Sequence, residues 1–125
     1  MNENKVKTVY LAGKITGDPK YRSKFRAAAQ MLELSGFAVV NPATLPPSGF
    51  EYAAYIRMSA AMLVECEAVC FLNDWEDSAG ARDEYELARV TGKEIFFFDE
   101  WRLKLKAGCN EAGQEAGQNA LEYAT

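Results

Sequence analysis

The sequence predicts an open α/β fold, a parallel sheet with helices on both faces. Three observations carry that expectation. Short apolar runs of strand length alternate with stretches of helical periodicity in the order β-α-β-α-β-α-β-α. The run Ala68 to Leu72, AVCFL, is apolar throughout, as a strand covered on both faces must be. The loops after three of the strands, GKITGD, NPATLPPSG and NDWEDSAG, hold the unusual glycines, acids and hydroxyls, and the carboxyl edge of such a sheet is where ligands sit.

At 125 residues the chain is long enough for one core without disulfides or metal, and 49% hydrophobic with 26% charged residues is ordinary for a soluble domain. A net charge of −4 gives no general attraction for nucleic acid, so an anionic ligand needs a local positive pocket. Histidine is absent, which removes imidazole general bases, Ser/His and Cys/His dyads and most zinc sites. Cys66, Cys70 and Cys109 are an odd set without a C-x-x-C, fitting a reducing compartment. Cys66 and Cys70 read as small core hydrophobes. The N-terminus shows no apolar signal core and no run reaches membrane-span length, so a cytoplasmic protein is expected.

Lys7 to Gly13, KTVYLAG, reads as a buried strand feeding a loop. Asp18 is the expected cap of a first helix from Pro19 to about Ser35, closed by Gly36. Tyr21, Phe25, Ala28 and Leu32 form its inner face, with Lys20, Arg22, Lys24 and Glu33 solvated. Phe37 to Val40 is the second strand. PATLPPSG is too apolar and punctuated for a flexible linker and is expected to be a lid or wall. Phe50 to Glu65 is helical, with Tyr52, Tyr55, Ile56, Ser59, Ala60 and Leu63 on one face. Ala68 to Leu72 is the third strand, a helix opens near Gly80, Glu94 to Phe98 is the fourth strand, and Asp99 to Lys106 is a last short helix. The domain therefore spans residues 1–106. Residues 107–125, rich in Gly and Ala, form a mobile or weakly helical tail.

One residue breaks the pattern. In a helix from Gly80, the residues Ala81, Tyr85, Ala88 and Leu87 make the apolar arc, and Glu84 projects into it while Arg82, Asp83, Glu86 and Arg89 stay outside. A carboxylate in an apolar setting is either paired, with Arg57 or Lys14 as partners, or functional. Asp74, Glu76, Asp77 and Glu84 are four acids within eleven positions, enough to divide leaving-group protonation and nucleophilic attack at an anomeric carbon, or to hold a divalent cation. The bland alternative is that Asp77 or Ser78 caps the helix and the rest are solvated.

Gly13, Lys14, Ile15, Thr16 and Gly17 combine tight turns, a cation and a hydroxyl ahead of a helix. That suits an anion, but also an ordinary βα turn, and the spacing is not that of a Walker A or dinucleotide loop. Trp75 and Tyr10 are candidates for stacking on a base or sugar, or for plain packing. Arg57 either reaches the pocket or snorkels to solvent.

These loops together, in this order, resemble the nucleoside 2-deoxyribosyltransferase superfamily over about residues 7 to 98. Tyr10-Leu11-Ala12-Gly13 looks like its Y-L-A-G strand end. Ser78 through Glu84, followed by Leu87-Ala88 and Gly92-Lys93, looks like its S/D-x-G-x-x-x-E segment, helix and G-K turn. The pattern W-x-x-S-x-G-A-x-x-x-E is most similar to a branch of unknown function common in phages and prophages. The resemblance implies a flavodoxin-like three-layer sandwich and an N-glycosidase or 2-deoxyribosyltransferase acting on a nucleoside or its 5′-monophosphate. Glu84 would be the nucleophile at C1′, with Tyr10 as its orienter. Gly13, Ile15 and Gly17 look like the G-x-I-x-G loop of the nucleoside 5′-monophosphate N-glycosidase branch, and Ser78 falls where that branch places a serine on the phosphate.

Lys14, Thr16, Gly80, Trp75 and Arg57 complete the expected substrate contacts, with no cofactor and no metal. The expected partner is a small-molecule nucleoside or nucleotide, with no polymeric nucleic acid and no membrane, and a homo-oligomer is left open. Two positions depart from the family pattern. Glu67 stands where the motif has Asp before the third strand, and Ser59 stands at the acid that assists base departure. Losing such a proton donor costs on the order of 10²- to 10⁴-fold in rate. Asp74 or Asp77 is the substitute acid. The alternative is a non-catalytic module that binds a nucleotide or an ADP-ribose-like ligand in the same pocket.

Overall fold

A computed structural model of the chain describes residues 6–111. Strands β1 (Thr8–Ala12), β2 (Ala38–Val40), β3 (Ala68–Phe71) and β4 (Glu94–Phe97) form one parallel sheet in the order β2-β1-β3-β4. Helices α1 (Tyr21–Leu34), α2 (Tyr52–Glu65), α3 (Ala79–Val90) and α4 (Phe98–Glu111) alternate with them. This is the α/β architecture the alternation of runs predicts.

Strand side chains point alternately to opposite faces, and the two faces build separate cores. Val9 and Leu11 of β1 join Ala68 and Cys70 of β3 against Phe25, Ala28 and Leu32 of α1 and Trp101 of α4. Tyr10 and Ala12, with Val69 and Phe71, face the other way against Leu63 of α2 and Ala88 of α3. Tyr10 is thereby committed to the α2/α3 side. Cys66 and Cys70 are free and buried within these cores, as small hydrophobes.

The connection through α1 places β2 on one side of β1, and the connection through α2 returns to place β3 on the other. The chain therefore reverses its winding between β1 and β3, and the loops leaving their carboxyl ends part there to form a crevice. Gly13 follows β1 at that edge, and Leu72 to Asp74 follow β3. Glu67 lies at the opposite edge, where its Oε1 accepts the Thr8 amide at 3.1 Å and ties β3 to β1.

Several boundaries and faces differ from expectation. Asp18 does not cap α1. Its Oδ1 accepts the Lys20 amide at 2.9 Å, so residues 18–20 close an Asx-type turn and the helix starts at Tyr21 without a side-chain cap. Lys24 is not a solvated lysine but is half-buried. The face of α2 is not a core face along its length. Only Leu63 is fully buried, while Tyr52 and Ile56 remain 63% and 41% exposed.

Within the proline-rich loop, Pro42–Thr44 forms a 3-10 turn whose first free amide, that of Ala43, donates to the Asn41 side chain at 2.9 Å. The last helix begins one residue early and runs to Glu111, beyond the expected stop at Lys106. Residues 112–125 of the expected tail and the Cys109 side chain lie outside the described residues. Among the described residues no helix is long and apolar enough to cross a membrane.

Candidate active site

Ser78 opens α3, its Oγ accepting the Ala81 amide at 3.1 Å, so of the two expected caps it is Ser78 that serves. The helix then buries Ala81 and Ala88 and leans Tyr85 and Leu87 on the sheet, while Arg82, Asp83, Glu86 and Arg89 are exposed. Glu84 lies on the inner side of this helix, half-buried. Its Oε2 accepts the Tyr10 hydroxyl at 2.6 Å. Neither Arg57, which is exposed on α2, nor Lys14 pairs with it, and among the described residues Glu84 has no ion pair.

Burial pushes the Glu84 carboxyl up to about 7, against the Tyr10 hydrogen bond that pulls it down and with the nearby Asp83 charge adding to the rise. Burial and the Glu84 charge hold the Tyr10 phenol well above its ordinary value, while the nearby Ser59 hydroxyl works the other way. Tyr10 thus ties β1 to α3 through Glu84, with Ser59 of α2 close by.

The second cluster joins the loops after β1 and β3. Lys24 Nζ donates to the Lys14 carbonyl at 2.9 Å, to Asp18 Oδ2 at 2.6 Å and to Asp74 Oδ2, and Asp74 Oδ1 accepts the Lys14 amide at 3.1 Å. Burial pulls the Lys24 ammonium down, but the bonds to Asp18 and Asp74 outweigh it and leave it raised. The Lys24 hydrogen bond, followed by the Lys20 amide, lowers the Asp18 carboxyl. Both Asp74 oxygens are therefore occupied by donors from the β1–α1 segment.

Gly13 is required by this junction. A Cβ there would lie 3.0 Å from Leu72 Cδ1 and 3.2 Å from Asp74 Oδ1. The Asp18 amide returns to the Ile15 carbonyl at 3.1 Å, closing a tight turn in which Gly17 takes a φ of 86°. Ile15 packs on the α1/α4 core, and Thr16 at the turn tip is exposed. The amides of Ile15, Thr16 and Gly17 and the Lys14 ammonium make no hydrogen bond among the described residues.

The remaining candidates divide by exposure. Trp75 stacks on Tyr85, with ring centroids 4.9 Å apart, and tilts against Phe71 and Phe97, so it is packing. Tyr10, fully buried, offers no face to a ligand. Asp77 ends the Trp75–Asp77 turn, exposed. Gly80 sits one turn before Glu84 on α3, its Cβ position 3.9 Å from both Ser78 Oγ and Tyr52 Oη. A cavity of about 520 Å³ lies along β2, lined among others by Arg26, Glu33, Val39 and Met62, and includes neither Glu84 nor Tyr10.

Sequence reasoning missed Lys24 and did not set the exposed Tyr52 apart from the rest of its helix face. Lys24 carries no local signal, since its partner Asp74 is 50 residues away. Among the described residues no group of three or more acid or thiol side chains is arranged to hold a metal ion.

The fold is that of an open α/β three-layer domain, with a glutamate and a tyrosine paired at the switch point of the sheet. Residues 7–97 match the family described as a domain of unknown function (DUF4406), and the chain belongs to that family. No curated protein matches the sequence. Among solved structures it is similar to the 2-desoxiribosyltransferase from Leishmania mexicana, with a TM-score of 0.59 and 18% identity over 73% of this chain. This chain spans 63% of that protein's length, and at such identity the likeness is one of fold.

Proposed function

We propose that the protein is an N-glycosidase or 2-deoxyribosyltransferase acting on a nucleoside or nucleoside 5′-monophosphate, with Glu84 as nucleophile. The observation that carries this reading is the Glu84 carboxylate, half-buried at the start of α3 and held by Tyr10 at 2.6 Å. Oε2 is occupied by the phenol, so Oε1 is the atom to attack C1′. The C1′–N bond breaks, its electron pair leaves with the base, and a glycosyl ester forms on Glu84. Water or a second base then attacks C1′ and releases the carboxylate. With a pKa of about 7, roughly half of Glu84 is ionised and nucleophilic at neutral pH.

The open amides of Ile15 to Gly17, the Lys14 ammonium and the half-buried Ser78 hydroxyl support a phosphate at the mouth of the crevice. The phage or prophage setting that the resemblance implies, and the cytoplasmic location expected from the sequence, are both part of this proposal. The test is a panel of deoxynucleoside monophosphates assayed for free base. Release that is lost in Glu84→Ala supports the reading, and no release from any member, or release unchanged in the variant, sinks the catalytic claim.

A second reading is favoured by one observation. Asp74 is engaged by Lys24 and the Lys14 amide, Asp77 is exposed, and residue 59 is a serine, which leaves the departing base without an evident acid. The pocket would then bind a nucleotide or ADP-ribose-like ligand without turnover. That predicts a rise in Tm with ligand and no product, and a panel producing no shift counts against it.

A further inference from the structure

We propose that Tyr52 is the base-binding aromatic of this site, stacking on the planar base of the ligand above Glu84. The inference rests on the nucleoside reading and names the side chain that recognises the base.

Tyr52, Ile56, Ser59 and Leu63 fall within an arc of roughly 60° on α2, one stripe facing α3 and the sheet. Along the stripe exposure falls steadily. Tyr52 is 63% and Ile56 41% exposed, Ser59 is half-buried against Tyr10, and Leu63 is fully buried. The stripe is therefore the wall of a crevice, closed at the Leu63 end and open at the Tyr52 end.

The opposite wall is α3. Gly80 and Glu84 are one turn apart and share a face. The Tyr52 hydroxyl lies 3.9 Å from the Cβ position of Gly80, so the tyrosine stands at the mouth of the crevice whose floor holds the Glu84–Tyr10 pair. Gly80 has no positive φ, and a Cβ would meet only ordinary contacts at 3.9 Å, so neither backbone nor packing requires glycine. What its missing side chain leaves is room between Ser78 and Tyr52.

The other aromatics nearby are already used. Tyr10 is enclosed, Trp75 is stacked on Tyr85, and Phe50 meets Tyr55 edge to face at 5.6 Å. Tyr52 makes no ring pair among the described residues. An exposed, unpaired aromatic face beside a half-buried carboxylate suits a flat heteroaromatic ring whose sugar reaches down to Glu84.

The experiment compares binding of the four common deoxynucleoside 5′-monophosphates with binding of 2-deoxyribose 5-phosphate, which lacks a base, by calorimetry on the full chain. Tyr52→Ala is expected to weaken the tightest-binding nucleotide on the order of tenfold, with Tyr52→Phe and the base-free sugar phosphate both within about twofold of wild type. Equal losses for nucleotide and sugar phosphate, or no loss for either, overturn the assignment of Tyr52 alone. Wild-type protein that binds none of the nucleotides overturns the nucleoside reading and this inference with it. A Tyr52→Ala change in sedimentation with nucleotide affinity intact assigns the residue to a protein interface and overturns the proposal.

Discussion

The Tyr10 hydroxyl and Glu84 Oε2 meet at 2.6 Å, joining the centre of the sheet to the first turns of α3. The bond favours the ionised carboxylate and opposes the burial that raises it to about 7. Tyr10→Phe removes the donor without changing the ring. A hydrogen bond to a charged group contributes about 1.5–3 kcal/mol, or about 1–2 pKa units, so Glu84 in the variant should titrate above 7. Carbon-detected NMR of the carboxyl reads this directly. A fall in the pKa would mean that the phenol does not stabilise the charge.

Glu84 also links pH to stability. Its folded pKa of about 7 lies above the ordinary glutamate value of 4.5, so the folded state holds the proton more tightly. That contribution is fully present below about 4.5 and is lost as pH rises through about 7. Glu84→Gln carries no such proton and should gain on wild type across this window, by up to roughly 3 kcal/mol at pH 8 and by less for the part of the group that is solvated. Urea midpoints at pH 4.5 and 8 give the comparison. A difference between variant and wild type that stays flat across the window would remove the linkage.

If Glu84 acts as nucleophile, kcat/KM for base release should rise with pH through about 7 and then level, because only the ionised form attacks. A rate falling over the same range would assign Glu84 the role of proton donor.

Much of this site is written in local periodicity. The 2-residue repeat of β1 assigns Tyr10 one face of the sheet, and the 3.6-residue repeat of α3 puts Glu84 on the inner side, so two patterns read separately converge on one contact. Lys24 shows what periodicity leaves out. Its place on α1 reads as solvated, and only the packing of the β3–α3 loop brings Asp74 beneath it. The α2 stripe fails differently. An apolar face looks the same in sequence whether it is covered along its whole length or only at one end, and on α2 Leu63 is fully buried while Tyr52 and Ile56 stay exposed.

Lys24 holds two carboxylates and a carbonyl, so its removal leaves Asp18 and Asp74 near each other without their shared cation. Lys24→Met should destabilise the chain by about 1–3 kcal/mol at neutral pH. Because the folded pKa of Lys24 is raised, its contribution is present below the ordinary lysine pKa and is lost as pH climbs through the raised value. The Asp18 carboxyl, lowered in the fold, contributes above its unfolded pKa and loses that contribution on acidification. The variant's melting curve should accordingly depend less on pH at the acid end than wild type does. Identical acid limbs would show that the clamp does not couple the loops.

Two glycines at the same sheet edge should respond oppositely to alanine. At Gly13 a methyl meets Leu72 Cδ1 at 3.0 Å, Leu72 Cβ at 3.1 Å and Asp74 Oδ1 at 3.2 Å. Leu72 is 3% exposed and Asp74 is fixed by Lys24, so neither neighbour gives way freely. Gly13→Ala should cost about 1–3 kcal/mol of stability, as overpacking does. At Gly80 the nearest atoms are 3.9 Å away and the residue lies in the first turn of α3, where alanine is the better helix former. Gly80→Ala should therefore leave stability unchanged or raise it by up to about 1 kcal/mol. Its methyl would instead narrow the gap between Ser78 and Tyr52 and weaken nucleotide binding. Paired melting and calorimetry on the two variants separate a glycine needed for packing from one that keeps a crevice open, and a Gly80→Ala protein that loses stability but binds normally would reverse the assignment.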